Sequence, residues 1–113
     1  MLEREQLLAL LNSLADPILV ADARHVVTFV NAAAVEHYSG GEALLGTSLL
    51  DCHNEASCRV MEDTLVTLER GEDEALISSD AKRRIYMRAV RDGAGALIGY
   101  YERYAPPERV TEE

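Results

Sequence analysis

Residues 49–58 read LLDCHNEASC and hold both cysteines of the chain and one of its three histidines. Thiols and an imidazole this close suit a metal centre, a haem ligand or a nucleophilic thiol. Zinc takes about four donors in a tetrahedral set. Cys52, His53 and Cys58 supply three, and sequence neighbours such as Cys52 and His53 seldom ligate one ion together. Asp51 would have to add an oxygen, so the metal pattern falls short. A nucleophilic thiol needs a base and a third, orienting group. Cys52 lies close to the start of a helix, where the dipole favours the thiolate; that fits redox sensing better than catalysis. No acid–base set converges on it, which argues against an enzyme. The simplest reading is a helix start: Leu49 and Leu50 turn inward, while Asp51 and Asn54 satisfy free amides.

That helix is the longest element expected. Asn54 is a good N-cap for residues 55–70, and Gly71 a good stop. Cys58, Met61, Leu65 and Leu68 recur at helical spacing, so one face is apolar and Cys58 belongs to the core side. Upstream, residues 3–14 form an amphipathic helix with Leu7, Leu11 and Leu14 on one stripe, suited to capping the domain or to pairing with a second copy. Asp16-Pro17 ends it. Residues 17–21 and 26–30 are short apolar, β-branched runs around a polar turn, Asp22 to His25, and make an antiparallel hairpin with His25 exposed. Asn31 caps a short helix over 32–39, which Gly40-Gly41 breaks. A helical turn at 42–45 and an irregular stretch at 47–51 lead to the long helix. Strands follow at 75–79, 84–91 and 96–104, the last two joined by Asp92-Gly93-Ala94-Gly95. Pro106-Pro107 ends the sheet, and 107–113 read as a frayed tail.

Hairpin-connected strands with the helices gathered between them give an α+β domain: a five-stranded antiparallel sheet with helices over one face. The N-terminal helix is residues 1–14 and the domain proper 15–106. A small ligand would lie between the sheet face and the helices.

The bulk numbers narrow the partners. With 113 residues and 48% apolar composition, one self-sufficient core is expected. A net charge of −9 repels phosphate backbones and anionic lipid, so neither nucleic acid nor membrane is an expected partner. Two cysteines make no disulfide framework, and no leader or spanning segment is visible, so a cytoplasmic setting is expected. Lys82, Arg83, Arg84, Arg88 and Arg91 crowd one stretch, either an anion or docking strip or a solvated strand face. Arg84 and Arg88 share a face that would meet an anion at the pocket edge. On the last strand Tyr100 and Tyr104 share a face and Tyr101 takes the other, so one set can line a pocket with hydroxyls. His37, beside Tyr38, is a further pocket candidate.

The order of segments resembles a PAS (Per-Arnt-Sim) sensor domain. The likeness rests on DPILVAD (16–22), VTFVNAAAVEHYS (27–39), LLGTSLLD (44–51) and IYMRAVRDGAGALIGYYERY (85–104), and spans residues 12–104. It implies a five-stranded sheet wrapped by helices, a small interior pocket and dimers through the N-terminal helix. It also implies a sensory or regulatory role, with an effector domain or signalling protein as a further partner. The ending YERYAPPERVTEE departs from the acidic-x-Thr step that leads to an output helix in many relatives. Haem-binding relatives place the proximal His within the long helix, and residues 59–68 have none; His53 lies just ahead of it, and haem is disfavoured. The Asn-Cys-Arg motif of flavin-binding relatives is absent. The cofactor is left unassigned.

The expected ligand contacts are His53, Cys52, Asn31, Tyr38, Met61, Met87, Arg88 and Tyr100, with Leu7, Leu11 and Leu14 as the dimerising stripe. His53, Cys52 and Cys58 remain the weak metal candidates. The expected function is a small-molecule or redox sensor that is not an enzyme. The alternatives are a ligand-free homodimerisation module and a small thiol- or metal-dependent site at Cys52 and His53.

Overall fold

Asn31 ties the first third of the chain together. Its side chain is fully buried. Oδ1 accepts from the N–H of Ile18 and of Ala34, both at 2.9 Å, and Nδ2 donates to the carbonyls of Leu11 at 2.9 Å and Asp16 at 3.0 Å. Three elements meet there: the end of helix α1 (Arg4–Ser13), the approach to strand β1 (Leu19–Ala21) and the start of helix α2 (Ala32–His37), which follows strand β2 (Val27–Val30). The same bonds explain why β1 starts later than the apolar run. Pro17 has no N–H to give, and the N–H of Ile18 is committed to Asn31 rather than to the sheet. The structure, a computed structural model, describes residues 1–107. The tail expected over 107–113 therefore falls, from residue 108 on, outside the described residues.

The turn between β1 and β2 is built by Asp22, whose carboxylate accepts from the N–H of Arg24 at 2.8 Å and of Val26 at 3.1 Å. His25 then takes a left-handed conformation (φ 66°). This corrects the expectation that His25 is exposed: it is only 5% accessible, and its Nδ1 lies 2.7 Å from the hydroxyl of Tyr100, itself in the core. Turn composition predicts a solvated side chain; here a buried phenol supplies a partner that takes water's place.

Two 3-10 turns, Gly41–Leu44 and Leu49–Cys52, bring the chain to helix α3 (Glu55–Glu69). Asn54 caps α3 as expected, its side chain accepting from the N–H of Ser57 at 2.8 Å. The C-terminal end is finished by Arg91, which donates to the carbonyls of Leu68 and Glu72. Strands β3 (Glu74–Ser79), β4 (Arg84–Arg91) and β5 (Leu97–Ala105) complete a single five-stranded sheet in the order β2-β1-β5-β4-β3, antiparallel at every step.

The step that local patterns do not specify is β1 against β5, where Ala21 stands opposite Tyr100 and Val20 opposite Tyr101. Gly99 permits it: a Cβ at that position would lie 2.3 Å from the carbonyl oxygen of Ala21. Alternation along the strands then sorts the faces. Leu19 and Ala21 on β1, Met87 on β4 and Tyr100 on β5 turn to one side and meet Met61, Leu65 and Leu68 of α3, with Val27 and Leu49. Each Leu, Met or Val of this set, once buried, contributes about 2 kcal/mol. Helix α1 stays outside this core. It buries no residue, and Leu7, Leu8, Leu10 and Leu14 are exposed.

Candidate functional site

A cleft of about 510 Å³ opens between the inner face of β3–β5 and the start of α3, closed at one end by α2. Its apolar wall comes from Val60 and Met61 of α3, Ile77 of β3 and Ile85 of β4. Its polar wall comes from His37, Tyr38, His53, Glu102 and Tyr104, with exposed Arg83 at the edge. A smaller recess of about 160 Å³ shares Tyr38, His53 and Glu102 and adds Leu19, Leu44, Leu49 and Cys52.

The polar wall follows from strand parity. Tyr100 faces the core, so Glu102 and Tyr104, two and four residues on, share its face. Tyr38 comes from the C-cap of α2, where the helix ends against the sheet. The phenols of Tyr38 and Tyr104 are hydrogen-bonded to each other, and both reach Oε2 of Glu102, at 3.4 and 3.3 Å. Two hydroxyl protons thus serve three contacts. His37 lies edge-on to Tyr38, with centroids 4.8 Å apart, and tilted against Tyr104 at 5.7 Å. The guanidinium of Arg83 stands 5.0 Å from the Tyr104 ring centre. Burial holds the Tyr38 phenol well above the usual tyrosine range, helped by its bond to Tyr104 and by the Glu102 charge. Burial also raises Tyr104. Both are therefore neutral donors at ordinary pH.

The expected contacts divide into three groups. Tyr38, His53 and Met61 line the cleft, and Cys52 lines the recess. Met87 and Tyr100 sit behind it in the core, and Asn31 is committed to four backbone partners away from it. Arg88 is on the wrong side of the sheet. Met87 faces inward, so its neighbour cannot; the Arg88 guanidinium pairs with Glu74 at 3.0 Å on the outer face, joined there by Arg103 at 2.8 Å. The anion site expected from Arg84 and Arg88 is therefore not part of the cleft, because Arg84 donates to the Pro106 carbonyl and the Tyr86 hydroxyl. Sequence reasoning missed Glu102, although its place midway between Tyr100 and Tyr104 was the signal that could have found it.

The Cys-His stretch proves largely local. Nδ1 of His53 donates to the Leu49 carbonyl at 2.6 Å, which fixes the ring at the edge of the cleft. Cys58 Sγ lies 3.1 Å from the Leu50 carbonyl, and Cys52 is exposed with its thiol free. Among the described residues no three His, Cys, Asp or Glu side chains converge to hold a metal, so Cys52, His53 and Cys58 are not brought together as a ligand set. No helix among them is long and apolar enough to cross a membrane.

The arrangement of sheet, helices and cleft can be set beside known proteins. The family model for the PAS fold matches residues 5–94. The chain belongs to the PAS family. PAS domains are in general sensory and signalling modules, typically non-catalytic. Among solved structures, this PAS domain superposes on a C-terminal domain from Streptococcus mutans with a TM-score of 0.75 at 21% identity, covering 93% of this chain and 85% of that one. It superposes on the PAS domain of BvgS from Bordetella pertussis with a TM-score of 0.61 at 21% identity, covering 96% and 86%. A sensory box sensor histidine kinase from Vibrio cholerae gives 0.61 at 16% identity, covering 89% of each chain. At these identities the likeness is one of fold. No curated protein matches the sequence.

Proposed function

We propose that this PAS domain is a sensor that binds a small organic molecule in the cleft between α3 and the inner face of β3–β5. The observation that carries the reading is the cleft itself: about 510 Å³, half apolar wall and half convergent polar groups from α2, β5 and the start of α3. A core filled by its own side chains would leave no such room. The work is recognition rather than catalysis. The imidazole of His53 is held by the Leu49 carbonyl, and the Cys52 thiol faces the Ser48 carbonyl, which is no base to activate it. A route for output exists. Tyr38 ends α2, Asn31 caps α2, and Asn31 also holds the end of α1 through the Leu11 carbonyl. A ligand that shifts Tyr38 would move α1 through that link.

Differential scanning fluorimetry against a library of soluble metabolites, with native mass spectrometry of the purified chain, tests the proposal. A stabilising ligand abolished by Tyr38→Ala supports it. A chain that carries nothing and responds to nothing refutes it.

The second reading is a homodimer through α1, favoured by exposed Leu7, Leu8 and Leu10 on a helix that buries nothing in its own chain and by exposed Leu14 at its C-cap. Sedimentation velocity of Leu7→Glu with Leu14→Glu decides it: a dimer that becomes monomer supports the interface, and an unchanged monomer removes it. Dimerisation and ligand sensing are compatible in one cytoplasmic module. Redox sensing by exposed Cys52 is the lesser branch, checked by mass spectrometry after mild peroxide.

A further inference from the structure

Among the described residues, the half-buried carboxylate in the cleft has no salt-bridge partner. Glu102 receives, among the described residues, two long contacts, 3.3 and 3.4 Å, both on Oε2, from phenols that are also hydrogen-bonded to each other. A carboxylate accepts about four hydrogen bonds when fully supplied. Among the described residues no donor reaches Oε1 and no cation pairs with Glu102. The contrast within the molecule is Glu74, which takes three bonds of 2.8 to 3.1 Å from two guanidinium groups.

The rings around Glu102 repeat the message. His37, Tyr38 and Tyr104 meet at centroid distances of 4.8 and 5.7 Å, a cluster of rings whose π systems attract cations. Tyr104 already accepts a cation on its ring: the chain's own Arg83, at 5.0 Å. Arg83 is exposed, so solvent and salt screen its charge, whereas Glu102 is partly enclosed and screened less. An anion entering the cleft would meet a carboxylate, with the phenolic protons already directed at it. An ammonium or amidinium would meet a carboxylate oxygen with room for donors, aromatic side chains in the same wall, and an apolar wall from Val60, Met61, Ile77 and Ile85 for its carbon body.

Resting on the sensor reading of the cleft, we infer that its ligand is a small organic cation, an amine or amidine with an apolar body, held by Glu102 beside the His37, Tyr38 and Tyr104 rings. Isothermal titration calorimetry of the whole chain with three probes of similar size tests this: phenethylamine, phenethyl alcohol and phenylacetate. The amine binds, the alcohol binds at least about tenfold more weakly, and phenylacetate does not bind, as the loss of a charged hydrogen bond requires. Glu102→Gln weakens the amine at least about tenfold, whereas Glu74→Gln, which removes a carboxylate from the opposite face, leaves it unchanged. Equal binding of alcohol or phenylacetate overturns the inference, as does an amine affinity that survives Glu102→Gln. A neutral or anionic molecule found bound to the purified chain, with no response to phenethylamine, overturns it too while leaving the cleft a sensor site. A chain that binds no molecule of any charge refutes both.

Discussion

Glu74 and Glu102 sit on the same sheet, on opposite faces, and live in opposite surroundings. Glu74 lies on the outer face between Arg88 and Arg103, whose hydrogen bonds hold its carboxyl below the usual range. Glu102 lies on the inner face, hydrogen-bonded among the described residues by two phenols, and its charge instead helps push those phenols up. Charge and side-chain length are shared, though Glu74 opens edge strand β3 and Glu102 lies within central strand β5; what differs at the carboxylates is whether the neighbours complete the group. The completed carboxylate contributes to the fold. The incomplete one is the group that the proposed ligand would complete. Asn31 and the His25–Tyr100 pair extend the completed class into the core.

If completion is the distinction, stability should follow it. Asn31→Ala removes four hydrogen bonds at a fully buried junction and leaves several backbone groups unpaired. It should cost about 3 kcal/mol in urea denaturation. A loss below about 1 kcal/mol would mean that water replaces the amide and that the junction is not closed.

The His25–Tyr100 pair comes next. Tyr100→Phe should cost about 1 kcal/mol by removing the partner of a buried imidazole. The pair also predicts a pH dependence. Burial holds the His25 imidazole below its usual value of 6.5, against the opposing pull of Glu62 and Asp22. Below pH 6.5 the unfolded chain therefore binds a proton that the native chain resists. This part of the stability is complete above 6.5 and declines as pH falls through and below it. Thermal midpoints measured from pH 7.5 to 5 (roughly the range in which His titrates) should fall with pH. His25→Asn, which tolerates the left-handed backbone, should flatten that slope. An unchanged slope would place the titrating group elsewhere.

Smaller effects separate the two carboxylates directly. Glu74→Gln should cost about 0.5 to 1 kcal/mol, less at high salt, because its partners are partly exposed. Glu102→Gln should change stability by no more than about 0.5 kcal/mol, since its own bonds are long. If the Glu102 variant proved the more costly, Glu102 would be structural and the cleft would lose its anchor.

Much of the architecture was legible because its signals are local. Asn31 and Asn54 announce helix starts through bonds three residues on, and both make them. The stripe of Met61, Leu65 and Leu68 needs only the helical period to be recognised, and it is buried. The lining of the candidate cleft was legible in part. Tyr38, His53 and Met61 lie where a pocket between helix and sheet requires them. The errors came where a local cue met a distant partner. His25 looked like a solvated turn residue until Tyr100, 75 positions away, buried it. Met87 and Arg88 were grouped as ligand contacts although strand neighbours point to opposite sides. Glu102 went unnoticed because an acidic residue on a strand ordinarily faces water.

The amino-acid order alone determined the kinds and succession of the elements, the caps, and which strand residues keep company on a face. Those properties follow from torsional preferences and periods of two and 3.6 residues, which act over a few positions. Only the tertiary structure decided which face is inside. That choice is made when α3 lays its apolar stripe on one side of the sheet and when Gly99 lets β1 close against β5. Both are contacts between segments far apart in the chain, and they place Glu102 in a cleft and Glu74 among arginines.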